Sequence, residues 1–192
     1  MYKAQAIVWI VLTSVAVSLS AQSLVGPKIL YSAHDGTDYE VYSAEVIGVS
    51  PIQLGSAVQL TDNSFEDTVP TWSPDGSKIA FSTDRDGNSE IYVMDASGAN
   101  QVNVTNHSAT DQQPAWSPVA AEIAFISDRV NGTNVWDIHI LSLDGGGNPI
   151  GDPVEVPNLV RDGWPGWSPD GSQGNYSATG AAGMKGFPSK AS

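Results

Sequence analysis

Three aspartates recur at one fixed offset in this chain. Asp67, Asp111 and Asp162 each stand five residues before a tryptophan: Trp72, Trp116 and Trp167. Carboxylates repeated in register can serve two kinds of chemistry. Gathered at one mouth of a closed ring, they would hold a cation or a basic peptide. Kept apart, each would cap a loop by accepting backbone N–H bonds ahead of a strand. A constellation written three times argues for the structural task, because catalytic residues are usually written once.

The remaining candidates for chemistry are weaker. Asp84-Arg85-Asp86-Gly87-Asn88-Ser89-Glu90 alternates oxygen ligands around a glycine, as a calcium loop does. It lacks the twelve-residue spacing with a terminal bidentate glutamate, and its counterpart from Asp128 to Gly132 loses a carboxylate, so it reads as a polar hairpin turn. His34, His107 and His139 lie in unrelated positions, without a second ligand at zinc spacing. There is no Gly-x-Ser-x-Gly elbow. Acidic pairs of the glycosidase kind abound in the loops and are not excluded. No catalytic residue, metal site or cofactor is assigned, and the chain reads as a non-enzyme.

The elements that position these residues repeat as well. Pro70-Thr71-Trp72-Ser73-Pro74-Asp75-Gly76 recurs as Pro114-Ala115-Trp116-Ser117-Pro118 and as Pro165-Gly166-Trp167-Ser168-Pro169-Asp170-Gly171. The tryptophans are 44 and 51 residues apart, a period that marks a repeated supersecondary unit. In the unit from Asp67 to Thr105, Pro70–Ser73 predicts an inner strand and Pro74–Ser77 a turn. Ile79–Thr83 and Ile91–Met94 predict a hairpin, and the alternating Gln101–Thr105 an outer strand. A second copy follows, from Asp111 through Glu122–Arg129 and Asp137–Leu141 to Val154–Val156. A looser first copy starts at Lys28, and Trp167 opens a fourth. Four short antiparallel strands every 40–50 residues are the signature of a β-propeller blade. The prediction is therefore an all-β, partial propeller with blades near 24–66, 67–110 and 111–161, and the start of a fourth at 162–172. The tryptophans are read as packing between neighbouring blades.

These phrases, with Ile-Ala-Phe, Ser-Asp-Arg, Ile-Tyr-Val-Met-Asp and Leu-Thr, resemble the TolB-like propeller repeat, a WD-like family, over about residues 28–171. The resemblance implies a periplasmic or extracytoplasmic protein that binds protein partners. The prototype serves the Tol–Pal envelope system, which makes an envelope lipoprotein a candidate partner. The same repeat also serves as an accessory domain in prolyl-oligopeptidase-like and tricorn-like peptidases, so it implies architecture more firmly than activity. The prototype carries an α/β domain before its propeller, whereas here the repeat begins soon after the N-terminal apolar run.

Residues 1–21 read as a secretory signal peptide, with Lys3, an apolar Ile7–Val17 and Ser18-Leu19-Ser20-Ala21 as the cleavage region. The apolar run is shorter than the roughly 20 residues a bilayer needs, so no membrane span is expected after cleavage. Zero cysteines exclude disulfides and thiolate metal sites. A net charge of −13 disfavours nucleic acid. Residues 173–192 are expected to be an aberrant, disordered tail, since Gln173–Ser177 does not continue the Ile-Ala-Phe pattern. The chain then reads as the front of a longer propeller, cut short. An arc of three to four blades leaves unpaired edges through which copies of the chain could associate.

Overall fold

The structure, a computed structural model, describes residues 27–129, 136–156, 162–178 and 187–188. The signal-peptide reading of residues 1–21 lies outside them. The described residues form strands only, arranged as four consecutive antiparallel sheets.

The second sheet is the clearest blade. β5 (Thr68–Trp72), β6 (Lys78–Thr83), β7 (Glu90–Asp95) and β8 (Val102–Asn103) follow one another in space as in sequence. The third repeats it with β9 (Asp111–Trp116), β10 (Glu122–Ser127), β11 (Asp137–Ser142) and β12 (Val154–Glu155). The first holds β1 (Lys28–His34), the long β2 (Tyr39–Val49), β3 (Ile52–Leu54) and β4 (Val58–Gln59), with β3 and β4 both pairing β2. β1 therefore occupies the place of β6, and no described strand lies on its other side.

The last sheet corrects an expectation. β13 (Asp162–Trp167) pairs with β14 (Gln173–Ala178), which pairs with β15 (Phe187–Pro188). Residues 173–178 and 187–188 thus belong to a blade rather than to a disordered tail. The turn between β13 and β14 explains why an Ile-Ala-Phe segment is not required. Asp170 accepts from Ser168 Oγ and from the Ser172 N–H, while Ser168 Oγ accepts from the Gln173 N–H at 3.0 Å. Ser73, Asp75, Ser77 and Lys78 make the same bonds between β5 and β6. A turn closed by its own side chains, plus a backbone ladder, starts the hairpin without apolar payload.

The core is not one mass but a row of slabs between sheets. Val41 and Leu60 of the first sheet meet Ile79, Phe81, Tyr92 and Met94 of the second, with Trp72 packed against them. Ala80, Ile91, Val93 and Val104 meet Ile123, Phe125, Leu141 and Leu143 of the third, with Trp116 alongside. Ala124, Ile126, Ile138 and Ile140 pack with Trp167 of the last. Each sheet is twofold in period, so one face feeds the slab before it and the other the slab after. Stability in such a stack is a sum of nearest-neighbour interfaces.

Candidate functional site

The polar groups concentrate where the loop after each outer strand meets the next β6-type hairpin. Asp67 and Asp111 sit there, both with 0% exposure. The entry to each new sheet latches onto the previous one: the Asp67 N–H donates to the Tyr39 carbonyl at 2.7 Å, and Asp111 N–H to Ser89 at 2.8 Å. Immediately afterwards the strand bulges. Val69 and Gln113 take positive φ of 51° and 58°, and the ladders to β6 and β10 shift register there. A β-branched residue at positive φ is costly. The neighbouring sheet helps fix the second bulge, because Gln113 N–H donates to Ser82 Oγ at 3.1 Å.

The side chains of Asp67 and Asp111 take their bonds from other side chains rather than from backbone N–H groups. Asp67 accepts both of its oxygens' bonds from Arg85 Nη2, at 3.1 and 3.0 Å, and one from Asn63 Nδ2 at 2.7 Å. Asp111 accepts from Arg129 Nη2 at 2.5 Å. Each arginine lies 18 residues downstream, on the loop after β6 or β10, and stacks on that hairpin's aromatics. The Arg85 guanidinium stands 4.6 Å from the Tyr92 ring centre and 5.5 Å from Phe81, and Arg129 is 5.5 Å from Phe125. A planar cation held between a buried carboxylate and an aromatic face is the use to which arginine is suited and lysine is not. Burial pushes the Asp111 carboxyl up to about 6, against the pull of Ser127 and Arg129. Two of the three repeat aspartates are thus occupied internally, which removes the basis for a ring of free carboxylates. The backbone of Asp162 opens β13; its side chain lies outside the described set.

A second repeated carboxylate was not singled out by sequence reasoning. Glu40 is the second residue of β2, and Glu90 and Asp137 open β7 and β11; all three are buried. Glu90 accepts from Thr105 Oγ1 at 2.5 Å, from the His107 N–H and from Asn88 Nδ2 at 2.9 Å. Thr105 Oγ1 in turn accepts from the Ile91 N–H, as Thr61 Oγ1 accepts from the Val41 N–H, so in the first two blades the Leu-Thr or Val-Thr end of the outer strand is tied to the central strand. Glu40 uses its Oε1 for the Asn63 N–H at 2.6 Å. The signal for the first set was arithmetic, since Arg85 follows Asp67 and Arg129 follows Asp111 by the same 18 residues. The second set has no such constant, because Thr61 follows Glu40 by 21 residues and Thr105 follows Glu90 by 15.

The other candidates resolve individually. Asp84 accepts from the Glu66 N–H, and Asp86 from Tyr92 Oη at 2.6 Å and Asn103 Nδ2, so the loop resembling a calcium site spends these oxygens on hydrogen bonds. His139 replaces Tyr92 in register, stacks on Phe125 and is buried, which pushes its imidazole down to about 4. Trp72 and Trp116 are half-buried against the slabs described above, and Trp167 Nε1 donates to the Ala115 carbonyl at 3.0 Å. Pro70 and Pro114 lie in β5 and β9, inside the bulges, where a missing N–H breaks no ladder bond; Pro165 lies in β13. No helix among the described residues is long and apolar enough to cross a membrane.

Comparison with known proteins agrees with this architecture. The TolB beta propeller domain matches residues 9–150. Among solved structures, the putative TolB from Agrobacterium tumefaciens superposes with a TM-score of 0.60 at 20% identity, covering 84% of this chain and 55% of that one. TolB from Acinetobacter baumannii gives 0.55 at 19% identity, covering 83% and 37%. A puromycin hydrolase gives 0.57 at 17% identity, covering 78% and 23%. The chain thus spans about half the length of the first of these and less of the others. With the blade repeat, the Asp–Arg ties and the matched segment in agreement, the chain belongs to the TolB beta propeller domain family.

Proposed function

We propose that this chain is an exported, non-catalytic propeller module that binds a protein partner through its loop face, in the periplasm or outside the cell. The observation that carries this reading is the internal use of the repeat's polar groups. Asp67 with Arg85, Asp111 with Arg129 and Glu90 with Thr105 build the scaffold, so what remains for function is the exposed loop surface. A net charge of −13 suits that surface to a basic partner. An envelope lipoprotein, as in the Tol–Pal system, is the partner class the family suggests.

Two measurements test the proposal. Alkaline phosphatase fused after residue 178 should be active only when residues 1–21 are present; activity without them, or none with them, removes export. Cross-linking of the exported chain in intact cells should then yield a discrete adduct that weakens as ionic strength rises.

The fold neighbours support a second reading, an accessory propeller of an exported hydrolase, because they include a puromycin hydrolase and a prolyl endopeptidase. A hydrolase reading frame continuous with this one would favour it; an adjacent lipoprotein gene would favour the first.

A further inference from the structure

The first blade departs from the second at one place in a way that changes its charge. The hairpins β1–β2 and β6–β7 share a register, with Ala33 opposite Glu40 as Thr83 is opposite Glu90. In the second blade the loop carries Asn88, whose amide donates to the buried Glu90, and Arg85, which pairs with Asp67. At the corresponding positions, 50 residues earlier, the first blade carries Asp35 and Asp38. Where the second-blade loop carries a cation and an amide, the first-blade loop carries two further carboxylates.

These three come together. Oxygens of Asp35, Asp38 and Glu40 all lie within 4.8 Å of one another. Glu40 is 0% exposed and Asp38 5%. Glu40 Oε2 is buried with no hydrogen-bond partner. Its neighbour Thr61 takes the Val41 N–H, as Thr105 takes that of Ile91, and its hydroxyl lies beside Glu40 without the close bond that Thr105 makes to Glu90. Asp35 Oδ1 is engaged locally, by the Thr37 N–H and hydroxyl and, at 3.4 Å, the Asp38 N–H. Asp38 Oδ1 receives only a 3.4 Å bond from Thr37 Oγ1. Among the described residues no lysine or arginine pairs with any of the three; the three ion pairs lie at Asp67, Asp95 and Asp111.

Buried like charges without a counterion are unstable unless something neutralises them. We propose that Asp35, Asp38 and Glu40 bind one calcium ion, which satisfies Glu40 in the first blade as the Asn88 amide and the Thr105 hydroxyl satisfy Glu90 in the second. Oxygen-only ligands on an irregular loop suit calcium, whose coordination is flexible, better than magnesium, which demands a near-octahedral shell. The ion would lock the turn between β1 and β2 at the end of the arc where β1 has no described inner neighbour.

Calorimetric titration of the full chain with calcium chloride tests this. One calcium per chain is expected, with magnesium binding more weakly. Asp38→Asn, which restores the amide of the second blade, should weaken calcium binding by about tenfold or more. Without calcium it should melt no lower than the parent, because it removes a buried charge. Calcium should raise the melting temperature of the parent but not of that variant. Asp35→Asn, at an exposed position, gives the same titration with little risk to folding. The proposal is overturned if the folded chain takes up no calcium at millimolar concentration, or if both variants bind as the parent does. A melting temperature that rises on acidification while ignoring calcium also overturns it, since a shared proton would then be the neutraliser.

Discussion

At the scale of single residues, Asp67 and Asp111 each bury a carboxylate whose cationic relief, among the described residues, is one arginine from the following hairpin. Removing one partner of such a pair strands the other. Arg85→Met should therefore destabilise the chain by about 3–5 kcal/mol, whereas Arg85→Met with Asp67→Leu should recover much of the loss. Denaturant midpoints of the two variants check this, and equal midpoints would mean that the pair is not coupled. The third sheet adds a dependence on pH. Asp111, raised to about 6, favours the folded state at low pH, and that contribution fades as pH rises through 6. His139, lowered to about 4, favours the folded state above its ordinary 6.5, and that contribution is lost as pH falls toward 4. Between pH 4 and 6 the two slopes oppose, each at most about 1.4 kcal/mol per pH unit. His139→Phe should leave a chain that gains stability on acidification across that window, and Asp111→Asn one that loses it. Urea midpoints at pH 4.5 and 6 read the sign directly.

At the scale of elements, the joints between sheets are built by backbone approach as much as by side chains. Gly98, in the turn after β7, has φ of 88°, and a Cβ there would fall on the Leu60 carbonyl of the first sheet, well inside contact distance. Gly76 has φ of 70° but open space around it. Gly76→Ala should cost about 1–2 kcal/mol of backbone strain alone, and Gly98→Ala clearly more, because the joint must also open. Thermal melts of the two alanine variants separate these terms. Trp116→Ala opens the slab between the second and third sheets. At half burial it should cost about 3 kcal/mol, the low end for a large aromatic. An unchanged midpoint would mean that the indole contributes nothing to that slab. These elements were largely legible in the sequence, because period-two alternation and the Pro-Asp-Gly turns are local signals. What was not legible was non-local. The bulges at Val69 and Gln113 are set by the preceding sheet, and no residue preference announces them. β14 was hidden because Gln173–Ser177 lacks the Ile-Ala-Phe pattern that marks β6 and β10.

At the scale of the molecule, the four sheets form a stack whose two ends differ. β1 has a half-buried face toward Phe81 and Trp72 through Leu30, but its ladder is made on one side only among the described residues. A strand with one unmade ladder is a template for pairing. At the other end the last sheet exposes Trp164 to 55%, a large apolar surface of the kind that the slabs elsewhere cover with a neighbouring sheet. The sequence period revealed both ends in outline, because the first copy lacks its Trp-Ser-Pro phrase. It did not reveal that the last copy carries more than that phrase. The terminal sheet is a three-stranded unit, β13-β14-β15. The two ends thus offer two routes to association: face-to-face burial of Trp164, or edge pairing at β1. Light scattering on the chain at tens of micromolar should therefore show concentration-dependent association. Trp164→Lys should reduce it if the sheet face is responsible and leave it unchanged if the β1 edge is. A monodisperse monomer with intact β circular dichroism would show instead that the arc protects both of its ends.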